Sequence, residues 1–132
     1  MSLWWQQLLL VMLGGALGAA GRFWLGGAML RQLGSGIPWG TLAANLAGSF
    51  LAGFIVVWLE GRGPQALYWR AFLIVGVLGG LTTFSALMVE TLLIARSQRS
   101  DLLLGYLGGT LVAGFVLVWA GARLAAMLRP AY

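Results

Sequence analysis

Four long uncharged stretches, residues 2–21, 32–59, 71–89 and 102–122, carry nearly all the apolar residues of the chain, and the charged residues fall in clusters between them. Each stretch supplies the roughly 20 consecutive apolar positions that a helix needs to cross a bilayer. Punctuation sits between the stretches. Pro38 stands where a helix can open without losing a backbone donor. Glu60, Gly61, Arg62, Gly63 and Pro64 form a strong break, Arg96 to Asp101 a polar turn, and Arg129 with Pro130 a stop. The pattern predicts helices over about residues 3–25, 38–59, 69–95 and 102–128, with Arg31, Gly34, Ser35 and Gly36 in the first loop. The whole chain, 1–132, reads as one all-α integral membrane domain without internal repeats.

Composition strengthens this reading. Hydrophobic residues make up 61% and charged residues 8%, against about a quarter charged in ordinary globular chains, so a water-soluble domain of this mix could not cover its own surface. Ala19, Ala20 and Gly21 could mimic a signal-peptide cleavage site. A positively charged leader is missing, however, and three further spans follow, so the first stretch is retained as a helix. Cysteine and histidine are absent, which excludes disulfides and thiol chemistry and leaves no imidazole for a metal or for titration near neutrality. The net charge of +5 comes entirely from arginine. These arginines sit at helix ends among apolar neighbours rather than along a basic stripe, which fits a membrane surface and not nucleic acid.

Orientation is weakly specified. Arg62, Arg70, Arg123 and Arg129 belong to the side of the two termini; Arg31, Arg96 and Arg99, with Arg22 nearby, belong to the other. Positively charged loops tend to stay cytoplasmic, so such a balance predicts a dual-topology protein that inserts both ways. The plainer alternative is that other factors fix one orientation.

The 21 glycines concentrate inside the predicted helices, where small residues let helices approach closely in lipid. Gly14 with Gly18, and Gly105 with Gly109 and Gly114, read as packing positions. Gly76, Gly79 and Gly80 precede Thr82, Thr83 and Ser85 in the middle of the third helix. There helix propensity is lowest and hydroxyls compete for backbone bonds, so an unwound turn at mid-membrane is expected. Carbonyls bared at that depth must be buried in protein or coordinate something, a cation being the natural guest. Thr41, Asn45 and Ser49 lie four apart on one face of helix two, and Tyr106 and Thr110 form a similar stripe on helix four. Asn45 alone reads as interhelical glue; three helices offering neutral donors at comparable depth ask for more.

Glu90 is an intramembrane carboxylate, a functional candidate by default, with snorkelling toward Arg96 as the alternative. Arg22 either guards a water-filled entrance or caps a membrane boundary. A small anion entering such a path loses hydration on the order of tens of kcal/mol, so donors must replace its water along the way. Hydroxyls, an amide and the positive edges of aromatic rings can do so without trapping it. Phe84, between Thr83 and Ser85, can add a ring edge.

The stretches Gly14 to Phe23 (GGALGAAGRF), Trp39 to Phe50 (WGTLAANLAGSF) and Gly76 to Leu87 (GVLGGLTTFSAL), followed by Glu90, closely resemble the signature stretches of the CrcB/Fluc fluoride channel family. The resemblance covers nearly the whole chain, and the GGLTTFS run is its most specific part. It implies an antiparallel, dual-topology homodimer in the inner (plasma) membrane, with two fluoride pores that export the ion passively. It also implies a structural sodium ion held by backbone carbonyls of the broken third helix, matching Gly79 and Thr82. The pore-lining amide of the family matches Asn45, and the first ring of its phenylalanine box matches Phe84. Its polar track corresponds to Ser85, Thr110 and Glu90, its fourth-helix aromatic to Tyr106, and its arginine at the end of helix one to Arg22.

One departure stands out. The usual TTFSTF reads TTFSAL here, so Leu87 replaces the second box phenylalanine and Ala86 a track hydroxyl. Phe84 and Leu87 lie one turn apart and are expected to share a face. Leucine has no positive ring edge, which leaves the second fluoride station to other donors or, in a heteromeric pairing, to a sister chain. Two rival readings remain. A small multidrug-resistance-like exporter needs a carboxylate in the middle of helix one, where none exists. A non-conducting assembly subunit leaves the donors unexplained. No nucleophile and base pair points to an enzyme.

Overall fold

The computed structural model describes residues 2–129, and within them the only regular structure is helical. Helix α1 is Leu3–Leu33, α2 is Trp39–Trp58, and the last helix, α5, is Ser100–Leu128. The third span is broken into α3, residues 65–81, and α4, Phe84–Arg96. Taken as Gln65–Arg96, that span and the other three helices are each long and apolar enough to cross a membrane. Pro130, where the sequence pattern stops the last helix, lies outside the described residues.

Helix α1 runs about two turns beyond the predicted end near Leu25 and carries Arg31 inside it rather than in a loop. No proline stands between Leu25 and Leu33, and the helix carries Gly26 and Gly27 within it. It ends only at Gly34, whose φ of 76° suits a residue without a Cβ, and whose N–H reaches back to Leu30. At 31 residues the helix is about 46 Å long, longer than the hydrocarbon it crosses.

Within α3, Arg70–Leu78 is wound as π-helix between α-helical Gln65–Trp69 and Gly79–Leu81. The apolar pattern does not distinguish the two windings, because both bury the same residue types. This wide stretch lies against α1 at close range. A Cβ on Gly14 would strike the carbonyl of Phe72, one on Gly18 the carbonyl of Val77, and one on Gly80 the carbonyl of Gly15. The seam between α2 and α5 is built the same way, with Gly53 against the carbonyl of Val118 and Gly121 against that of Phe50. Gly14 and Gly18 therefore act as the spacing suggested. Gly105 and Gly109 do not, since a Cβ on either would meet nothing within 4 Å; of that series only Gly114 approaches a neighbour, Ser49, within the chain.

The buried core is small and consists mainly of Leu87, Ile94 and Tyr106 with Ile37, Leu42, Leu102, Leu103 and Leu107 around it. Most large apolar side chains are exposed. In lipid that costs nothing, because acyl chains are as apolar as leucine.

Candidate functional site

The helix breaks where the hydroxyl run stands. Thr82 and Thr83 are extended, with ψ of 153° and 115°, and the Thr83 hydroxyl starts α4 by accepting the N–H of Ala86 at 3.1 Å. The break leaves the N–H and the carbonyl of Thr83 without helical partners, and Asn45 answers both. Its Oδ1 accepts the Thr83 N–H at 2.7 Å and its Nδ2 donates to the Thr83 carbonyl at 3.1 Å. One proton of the Asn45 amide is left over. Gly48, which the sequence pattern did not single out, makes room on the next turn of α2, where a Cβ would collide with the Thr82 methyl.

A groove of about 620 Å³ opens along this break. Asn45 and Ser49 line it from α2, Thr82, Thr83, Phe84 and Leu87 from the broken span, and Thr110 from α5. The Thr41, Asn45, Ser49 face expected from the spacing is present, and so is the Tyr106, Thr110 stripe. Ser49, Thr82 and Thr110 each donate to the carbonyl four residues earlier, at 2.7, 2.7 and 2.6 Å. Their protons are thus held by the helix itself rather than aimed into the groove. The pair Thr83 and Ser85, 3.2 Å apart, shares a bond in which either hydroxyl can donate. Rotating a hydroxyl away from a carbonyl that keeps its helical N–H partner costs little, so these side chains are donors on demand.

Phe84 and Leu87, one turn apart, line the same groove as expected but at different depths. Phe84 is 71% exposed on a single chain, whereas Leu87 is 4% exposed and packed against Ile94 and Tyr106. The difference arises at the break, because Phe84 is the first residue of α4 and its ring leaves the bundle before the helix turns inward. Ser85 is exposed beside it.

Toward the Arg96 end, Glu90 sits between α2 and α5. Thr41 donates to its Oε1 and Tyr106 to its Oε2, both at 2.6 Å. Among the described residues its carboxylate makes no bond to Arg96, so the snorkelling alternative is not the arrangement found. A cavity of about 800 Å³ borders Thr41 and Glu90 and is lined also by Arg22 and Arg31. Arg22 donates through Nε to the Gly80 carbonyl at 3.2 Å and so ties α1 to the last turn before the break, a contact that no sequence signal announced.

The same break tests the cation expectation. Among the described residues no side chain, and no backbone N–H from beyond α3, donates to the carbonyls of Gly79 or Thr82, although the neighbouring Leu78 and Gly80 carbonyls accept Thr82 and Arg22. Uncharged oxygens of this kind are the donor set of a hard cation, so the residues fit a bound sodium. No group of acidic, cysteine or histidine side chains among the described residues could hold a metal instead.

Sequence relatives match over nearly the whole length of the chain. A fluoride-specific ion channel FluC of Xanthomonas euvesicatoria pv. vesicatoria (strain 85-10) is 58% identical over 120 residues, 91% of this chain and 90% of that protein. One of Xylella fastidiosa (strain M23) is 55% identical over 125 residues, 95% of this chain and 94% of that protein. One of Thermus thermophilus is 44% identical over 123 residues, 93% of this chain and 98% of that protein. With residues 9–122 matching the family described as CrcB-like protein, Camphor Resistance (CrcB), the chain belongs to that family.

Proposed function

We propose that this protein is a fluoride-selective channel in which two antiparallel copies form two pores, and that it lets fluoride leave the cytoplasm passively across the inner membrane. The ion identity rests on relatives named for fluoride. The observation that carries the path is the groove at the break, which Asn45, Ser49, Thr83 and Thr110 line together with Phe84.

The permeation path follows from what these groups can exchange. A halide entering from the Arg22 and Arg31 cavity meets no fixed cation in the groove that would hold it. Hydroxyls of Ser49, Thr82 and Thr110 turn from backbone carbonyls to the anion and back again, while the spare Asn45 proton and the Phe84 edge take up the rest of its hydration shell. Glu90 with both oxygens engaged presents its carboxylate to Thr41 and Tyr106 rather than to the anion. Fluoride, the smallest halide, gains most from short, crowded donors.

Two copies are favoured because the groove is open on one chain. The exposed Phe84 and the unpaired Gly105, Gly108 and Gly109 of α5 suit a partner helix, and the balanced arginines suit opposite insertion. A sodium ion on the carbonyls of Gly79 and Thr82 would fix the shape of the break by neutralising oxygens that receive no side-chain donor among the described residues. Nothing in this scheme is an enzymatic step.

Efflux from liposomes carrying the purified protein, followed with a fluoride electrode and with chloride as control, tests the reading. Fluoride is expected to leave rapidly with chloride retained. Equal, negligible loss of both anions would sink it.

A further inference from the structure

A separate cavity of about 800 Å³ lies at the opposite end of the bundle, where α2 ends and α3 begins. Two arginines face it across one carboxylate. Arg129 reaches the Glu60 carboxylate at 3.2 Å and the carbonyls of Val57 and Glu60 at 3.3 and 2.9 Å. Arg62 donates through Nε to the Trp58 carbonyl at 2.8 Å and lies 4.5 Å over the Trp58 ring. Capping the last carbonyls of α2 explains these contacts in part. It does not use the two terminal nitrogens of Arg62, which have no bond among the described residues, and it leaves the cavity with one positive charge in excess.

The rest of the cavity is built for something apolar. Exposed Trp69, and Leu73 one turn further into the span, continue its wall along the lipid-facing surface. Indoles such as Trp58 and Trp69 settle at headgroup depth, which puts the free fork of Arg62 at the level of phosphate. Gly61 and Gly63, both at φ of 71°, hold Arg62 at the tip of a tight turn over this opening.

The geometry points to a docking site for an anionic phospholipid, its phosphate on the terminal nitrogens of Arg62 and an acyl chain along Trp69 and Leu73. A phosphodiester carries the single negative charge that the surplus cation matches, and the planar fork suits two of its oxygens. Free phosphate would leave the apolar wall unused, so a lipid is the occupant. In a membrane where copies insert both ways, each leaflet would see the site.

Native mass spectrometry of the full-length protein with added phosphatidylglycerol or phosphatidylcholine tests this without reference to ion flux. The wild type is expected to retain phosphatidylglycerol about fivefold better, the factor that one arginine near an anionic surface contributes. Arg62→Gln should remove that preference, and Arg123→Gln, at the same end but over Trp119, should keep it. Because Arg62→Gln also weakens a helix cap, Gln65→Glu provides a second variant: it adds a negative charge at the exposed lip, touches no capping contact, and should likewise abolish the preference. Equal retention of the two lipids by the wild type, or a preference untouched by Gln65→Glu, overturns the site. So does inorganic phosphate at millimolar concentration displacing the lipid, since phosphate alone would then be the ligand.

Discussion

Along the α1–α3 and α2–α5 seams the helices touch through bare backbone, while around Thr82 and Thr83 they touch through side chains that satisfy backbone. In the seams, Gly14, Gly18, Gly53 and Gly121 bring a neighbouring carbonyl so near that no methyl group fits. Nothing there can move without losing dispersion contacts that lipid does not replace. At the break, Asn45 closes two bonds to Thr83, and the hydroxyls around it rest on carbonyls that already have partners. One region is rigid because side chains are absent, and the other is adaptable because polar side chains are present with exchangeable bonds. A bundle that carries an anion needs both: fixed walls and a lining that can let go.

That contrast can be broken at its strongest point by Gly53→Leu. The branched side chain has to displace the Val118 carbonyl, at a cost of at least about 3 kcal/mol, and the expected outcome is loss of folded protein on size-exclusion chromatography. Next in size, Asn45→Asp puts a carboxylate against the Thr83 carbonyl and removes a donor. Fluoride flux in liposomes should fall at least about a hundredfold, as a loss of about 2.7 kcal/mol implies, while the protein still elutes as the wild type does on size-exclusion chromatography. Restoring an aromatic with Leu87→Phe is expected to harm rather than help, because that side chain sits in the core against Ile94 and Tyr106. Overpacking should destabilise the protein by about 1–3 kcal/mol in thermal unfolding in detergent. The finest test compares neighbours: Gly14→Ala should cost about 1–3 kcal/mol in the same assay, whereas Gly15→Ala, whose Cβ meets nothing within 4 Å, should stabilise by about 0.5–1 kcal/mol through helix propensity.

Much of the site was legible from spacing. Thr41, Asn45 and Ser49 share a face, and a helix with Gly79 and Gly80 ahead of Thr82 and Thr83 comes apart at those threonines. Other parts were not. That Leu87 is buried while Phe84, one turn earlier, is exposed depends on where α4 begins and on which residues pack against its first turn. The pairing of Arg22 with the Gly80 carbonyl joins residues 58 positions apart, and the engagement of Glu90 by Thr41 and Tyr106 joins three helices. Neither leaves a local pattern. Gly105 and Gly109 have the same spacing as Gly14 and Gly18 and yet a Cβ on either would meet nothing within 4 Å among the described residues, because small residues permit an approach without choosing the partner.

Solvent preference and chain stops belong to the sequence alone: the uncharged stretches dictate four spans in lipid, the Gly61 to Pro64 cluster ends one, and the hydroxyl run weakens another, all through interactions within a few residues of each other. Which glycine meets which carbonyl, how far α1 runs, which hydroxyls are already bonded, and that Arg129 reaches the Glu60 carboxylate were decided by the tertiary structure. Those are contacts between distant segments, and their energies exist only once the helices have chosen how to pack.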